Sequence, residues 1–152
     1  GGYPELYLAA LSANRQMLQS IRRYVESEGK LLAECGGMMY LCDEIRDKNG
    51  DVYPMAGVLH QSATMENMKL RLGYRTLLCN GTRLKGHEFH YSRLVEQQNP
   101  LPSCAVAYTA KGVETDTPLY HYKNVWAGYT HLYWADPVGN EWFTKFVIDG
   151  NT

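Results

Sequence analysis

Apolar residues in the first part of the chain fall at helical spacing. Between Pro4 and Ser27, Leu8, Leu11, Leu18, Ile21 and Val25 recur three, four or seven positions apart, which places them on one face of an amphipathic helix. Pro4 suits a first turn and Gly29 a C-terminal stop. Lys30 to Glu34 reads as a short strand, Met38 to Glu44 as a short helix, and Asp47-Lys48-Asn49-Gly50-Asp51 as a polar turn. The middle of the chain changes period. Leu70, Leu72, Tyr74, Thr76 and Leu78 alternate with mostly polar or small residues, the pattern of a half-buried strand. Asn80-Gly81 then predicts a hairpin, with Leu84 to Val95 as the return strand. Asn99-Pro100-Leu101-Pro102 reads as a loop. Cys104 to Thr109, Leu119 to Tyr122 and Val125 to Tyr129 predict further short strands. Asn140 to Ile148 predicts a closing helix with Trp142, Phe143 and Phe146 as its apolar residues. Helix, strand and helix in succession predict an α/β protein with a parallel sheet, to which the hairpin adds an antiparallel element. There is no internal repeat, low-complexity tract or linker.

The junction between the second and third of these elements carries the chemistry. In Ala33-Glu34-Cys35-Gly36-Gly37-Met38-Met39-Tyr40-Leu41, small residues stand two positions before and two after a cysteine. That is the pattern of a nucleophile elbow, a strained strand-to-helix turn with the nucleophile at its apex, where a bulky flanking side chain would collide with the chain. A helix N-terminus beneath the sulfur favours thiolate, the nucleophilic form. The competing reading is a buried cysteine at a strand end, since free cysteine is among the most buried residue types.

Composition narrows the setting. The 152 residues are the scale of one domain, and 45% hydrophobic content excludes disorder. A net charge of −1 gives no field favouring nucleic acid or an anionic membrane. Cys35, Cys42, Cys79 and Cys104 form no C-x-x-C pair, and no secretory or membrane-spanning apolar run appears. These features predict a reducing, cytoplasmic setting with free thiols. The chain begins Gly1-Gly2-Tyr3-Pro4-Glu5 without methionine, so it reads as a fragment or processed product.

A thiol nucleophile needs a proton acceptor that later protonates the leaving group, usually a histidine distant in sequence. His60, His87, His90, His121 and His131 are available. His131 follows an apparent strand, where a parallel sheet would present it at the carboxyl edge beside Cys35. A histidine that merely caps the strand is the alternative. His87 and His90 suggest a metal pair, but their spacing is three rather than the four of H-E-x-x-H, and on a strand they face opposite sides. No metal site is expected. Glu34 either bonds nearby backbone or raises the cysteine's pKa.

Four segments in order carry a family resemblance: Gly1-Gly2-Tyr3-Pro4-Glu5, Ala33 to Leu41, Gly86-His87-Glu88-Phe89-His90-Tyr91-Ser92, and Thr130-His131-Leu132-Tyr133-Trp134. Over residues 1–135 the chain resembles the glutaminase domains of the cobyrinic acid a,c-diamide synthases. These form a cobalamin-pathway branch of the triad-type (class I) glutamine amidotransferases. The resemblance implies a flavodoxin-like α/β fold, mostly parallel with helices on both faces. It implies one glutaminase domain over residues 1–152, its opening strands preceding Gly1. It also implies that Cys35 attacks the glutamine amide and His131 shuttles the proton. The oxyanion would meet the backbone N–H of Gly36 and the stretch around Gly2. His87, Glu88 and His90 would border the pocket or a domain interface.

Further implications concern partners. Ammonia would pass to an upstream synthetase domain, absent here, that activates cobyrinate carboxylates with ATP and magnesium. The fragment itself would need no cofactor, would be poorly active alone, and would leave a sheet edge open to self-association as a homodimer. Many class I relatives orient the histidine with a carboxylate two residues later; here Tyr133 stands there, leaving Glu88 and Asp136 as candidates. Rival readings are the glutaminase of cobyric acid synthase or of a cell-wall ligase, a cysteine hydrolase with no ammonia acceptor, and a noncatalytic interaction domain of the same fold.

Overall fold

In a computed structural model that describes residues 1–149, the amphipathic N-terminal segment forms three short helical pieces rather than one helix. A 3₁₀ turn at Pro4–Leu6 leads into α1 (Leu8–Ala13) and α2 (Arg15–Glu26). The break falls at Asn14, whose side chain accepts a hydrogen bond from the Met17 N–H at 3.2 Å and so caps α2. Asparagine offers the backbone this local partner and thereby starts a new helix where periodicity alone continues the old one. The apolar face survives the break: Leu8, Leu18 and Val25 are buried, and Leu11 and Ile21 pack against them.

Strand β1 (Leu31–Glu34) follows, then Cys35, then α3 (Gly36–Leu41). β1 pairs in parallel with β11 (Val125–Gly128), and β10 (Leu119–Tyr122) pairs antiparallel on β11's other edge. Strand alternation sends Ala33, Val125, Ala127 and Tyr120 into a core shared with α1, α2 and α3. Leu119 and Trp126, with Leu32 packed against them, face the opposite way, onto Trp142 and Phe146 of α4 (Pro137–Asp149). Helices therefore cover both faces of this small sheet, as the α/β reading expects.

The remaining strands depart from that expectation. The predicted Met38–Glu44 helix ends at Leu41, and the chain turns at once into β2 (Cys42–Arg46). β2 is flanked by β3 (Val52–Pro54) and β4 (Leu59–Thr64), neither of which has a clear sequence signal. Ile45 is fully buried there, so nonlocal pairing and burial override the helical reading of a short apolar run. The hairpin is as predicted: β5 (Arg71–Cys79) and β6 (Thr82–His90) pair from Cys79↔Thr82 outward. Asn80 and Gly81, with φ of 48° and 80°, form the two-residue turn whose twist suits a hairpin.

β6 stops at His90, short of the predicted Val95. The buried Ser92 hydroxyl bonds the Tyr129 hydroxyl at 2.8 Å, and Arg93–Leu94 (β7) crosses to pair with β4. β8 (Val106–Thr109) and β9 (Glu114–Thr115) extend the hairpin on one side, and β12 (His131–Leu132) pairs with β6 on the other. Among the described residues two strand pairs are parallel, β1–β11 and β2–β4, and seven are antiparallel. The expected mostly parallel sheet is thus replaced by a mixed α/β arrangement of three sheets. The β5–β6 hairpin and the short β2–β3 connection allow only antiparallel neighbours there.

Candidate active site

Cys35 sits where β1 ends, and its backbone is bent back on itself. Its N–H donates to Gly128 O at 2.8 Å, continuing the β1–β11 ladder, while its own carbonyl accepts from Met39 N–H at 3.1 Å and opens α3. Serving strand and helix at once forces φ to 52° and ψ to −110°, a conformation a cysteine adopts only under strain. The tight flank is Gly36 rather than Gly37. A methyl at Gly36 would lie 2.6 Å from Gly2 O, whereas one at Gly37 would meet Ala33 Cβ at an ordinary 3.5 Å.

The Gly1-Gly2 stretch lies against both halves of the site. Gly2 touches the elbow through the contact just described, and a methyl at Gly1 would come within 2.9 Å of His131 Cε1. Gly2, Tyr3, Cys35, His87, Phe89 and His131 together line one cleft of about 430 Å³. His131 reaches it by a crossover: the chain leaves β11 at Gly128 and joins β6 as β12, where His131 pairs with His87. Gly86 permits that approach, since a methyl there would collide with His131 O.

Electrostatics favour the neutral forms of both groups. Burial pushes the Cys35 thiol up from its ordinary value, only partly opposed by the Gly36 N–H. The thiolate preference expected from the helix end is therefore corrected: α3 is six residues long, and desolvation outweighs it. Burial, followed by the neighbouring His87, lowers the His131 imidazole. The Cys35 thiol points at Phe89 O, 3.6 Å away, and the His131 imidazole lines the same cleft.

The carboxylates sort differently from expectation. Glu88 is 1% exposed and held by Arg75, by the Thr117 hydroxyl at 2.7 Å and by His90 Nε2 at 3.4 Å. Burial alone would raise its pKa, but these three partners outweigh burial and hold it low. His90 is stacked on Tyr129 at 3.6 Å and bonds Ser92 O through Nδ1 at 2.8 Å. Asp136 pairs with Lys85 at 2.8 Å. Neither Glu88 nor Asp136 is ion-paired with His131. The carboxylate beside the imidazole is Glu34, whose Oε2 lies 3.8 Å from His131 Nδ1 and whose Oε1 accepts the Leu132 N–H at 3.0 Å. His87 faces the cleft and His90 the interior, as strand alternation requires. Among the described residues no three His, Cys, Asp or Glu side chains are grouped to hold a metal ion, and no helix is long and apolar enough to cross a membrane.

A strained cysteine corner opening onto a cleft shared with an imidazole is an arrangement of the cysteine-nucleophile class. Comparison gives the family: the chain belongs to the CobB/CobQ-like glutamine amidotransferase domains, whose model matches residues 1–138. It is 38% identical over 140 residues to the cobyrinate a,c-diamide synthase of Caldanaerobacter subterraneus, covering 87% of this chain and 30% of that protein. It is 32% identical over 143 residues to the Salmonella typhimurium cobyrinate a,c-diamide synthase, covering 89% and 31%. A third relative, the hydrogenobyrinate a,c-diamide synthase of Stutzerimonas stutzeri, is 36% identical over 139 residues, covering 91% and 32%. The chain thus spans about a third of the length of these relatives.

Proposed function

We propose that this chain is the glutamine-hydrolysing part of an a,c-diamide synthase that supplies ammonia for amidating a corrinoid dicarboxylate in cobalamin biosynthesis. Cys35 Sγ attacks the side-chain amide carbon of glutamine while His131 takes the thiol proton. The tetrahedral oxyanion is met by preorganised donors, for which the Gly36 N–H and the backbone around Gly2 are the candidates. His131 then protonates the departing nitrogen, ammonia leaves, and a thioester remains. Water, deprotonated by the same imidazole, releases glutamate and regenerates the thiol. Proton balance closes without a cofactor in these residues.

The supporting observation is the shared cleft: the left-handed Cys35 and the half-buried His131 line it together, with Gly2 among its lining residues. ATP and magnesium act elsewhere in this reading, on a synthetase part of the parent chain that activates the acceptor carboxylates. The acceptor is cobyrinate or hydrogenobyrinate, since relatives bearing either name match alike. The parallel β1–β11 core covered by helices supports a flavodoxin-like ancestry for the fold. Four free cysteines support a reducing, cytoplasmic setting.

The test is covalent labelling of the full-length protein that carries this domain, using a diazo-ketone analogue of glutamine and peptide mass spectrometry. Labelling confined to Cys35, with ammonia release abolished in Cys35→Ser, is the expected result. Equal labelling of Cys79 or Cys104 would point instead to an inert domain of the same fold.

A further inference from the structure

We propose that Glu34, the residue immediately before the nucleophile, is the positioning carboxylate for His131. This rests on the glutaminase reading and goes beyond it, since Tyr133 occupies the position where an orienting carboxylate is expected.

Strand geometry supplies the argument. β1 alternation puts Glu34 on the same side as Leu32, the side where Leu132 is buried. The parallel register places Glu34 opposite Gly128, three residues before His131, so the crossover into β12 carries the imidazole past the carboxylate. The Leu132 N–H, bonded to Oε1 at 3.0 Å, fixes the carboxylate's rotation and leaves Oε2 facing Nδ1 at 3.8 Å. Among the described residues it is the one carboxylate within ion-pair distance of His131.

The groups facing His131 are Glu34 from β1, Cys35 from the elbow, His87 from β6 at 5.1 Å between ring centroids, and the Gly1 end of the chain; His90 acts from behind. His87 and His90 disfavour a charged imidazole, and Glu34 is the facing carboxylate placed to favour one. At 3.8 Å the contact is an approach rather than a hydrogen bond, which matches a resting site whose imidazole is kept neutral by burial. For Nε2 to accept the Cys35 proton the neutral ring carries its one proton on Nδ1, toward Oε2; once Nε2 is protonated, that same Nδ1–H belongs to a cation. The contact then tightens into a charge-assisted hydrogen bond, as contacts of resting sites do on the way to the transition state. Glu34 thereby holds the ring with Nε2 toward the sulfur and stabilises the charge that appears during attack. No bond to Glu34 forms or breaks, and its proton count is unchanged through the cycle.

Glu34→Gln keeps the acceptor for Leu132 and removes only the charge. In the full-length protein it should lower glutaminase kcat roughly 10- to 100-fold with KM within about two-fold, because the interaction is made in the transition state. It should also shift the acid limb of kcat/KM to lower pH, since losing a neighbouring anion makes the imidazolium easier to deprotonate. Glu34→Asp should recover part of kcat. Unchanged kcat and pH profile in Glu34→Gln, with Cys35→Ser inactive, would overturn the positioning role while leaving the glutaminase reading intact. Should the wild-type protein release no ammonia, the glutaminase reading fails alone. The ring is then read directly by NMR titration of labelled histidine: a lower His131 pKa in Glu34→Gln than in wild type supports the contact, and identical titrations overturn it.

Discussion

Two carboxylate–histidine pairs stand close together in this protein and are built in opposite ways. Glu88 and His90 lie on the inward face of β6, 1% and 4% exposed, with every strong partner supplied by the protein: Arg75, Thr117, Ser92 and the stacked Tyr129 ring. Glu34 and His131 lie at the ends of two strands from different sheets, half-buried at a cleft, and do not yet touch. A saturated pair has no capacity left for a substrate or a moving proton, so its contribution is to stability. An unsaturated pair at a cleft retains that capacity. The pair in the Gly86–Ser92 segment is thus satisfied by the protein itself, and the pair drawn from the Ala33–Leu41 and Thr130–Trp134 segments is the one left open at the cleft.

That contrast can be broken most sharply at Glu88. Glu88→Gln leaves the Arg75 guanidinium, whose side chain is 11% exposed, without its counter-charge, and should destabilise the fold by about 3–5 kcal/mol. Chemical denaturation measures this, and a loss below about 1 kcal/mol would refute the saturated-pair reading. Glu34→Gln should do the reverse, sparing the melting transition while slowing ammonia release.

The next effect is at the elbow. Gly36→Ala drives a methyl into Gly2 O and Pro4 Cδ, at 2.6 and 2.8 Å, and should cost about 1–3 kcal/mol while lowering kcat further than instability explains. A variant with normal ammonia release would show that the stretch around Gly2 takes no part in the site.

The smallest effect is on pH dependence. In the proposed mechanism the active form has a neutral imidazole and an intact thiol, so the kcat/KM plateau should lie between the two groups. With burial lowering His131, its acid limb should fall below the ordinary imidazole value of about 6.5. With burial raising Cys35, alkylation of the resting thiol should accelerate only above the ordinary range of a free cysteine. Fast alkylation near neutrality would instead reveal a resting thiolate and imidazolium, reversing the assignment.

What could be read from the chain follows the range of the interactions. The β5–β6 hairpin is local, fixed by Asn80-Gly81 and a period of two, and it was legible. So was the elbow, because a strained corner demands small neighbours within a few residues. β2, β3 and β4 were not, since Ile45 and Leu59 are buried by one another's strands and no short window shows that. Asn14 hid its capping role inside an uninterrupted apolar period. At the site, Cys35, His131, Gly2 and Gly36 come together as their segments suggest, and His87 joins them at the cleft. Glu34 escaped because its neighbour is set by the β1–β11 register. A parallel alignment of Leu31–Glu34 on Val125–Gly128 was the signal that could have found it.

The crossover between Gly128 and His131 has a mechanical corollary. The sulfur is anchored to the helix-covered sheet and the imidazole to the hairpin sheet, with two residues, Tyr129 and Thr130, and the bare Gly86 backbone joining them. Their separation therefore gauges how the two sheets sit against each other. Any load that tilts the hairpin is transmitted to the reacting atoms with almost no slack.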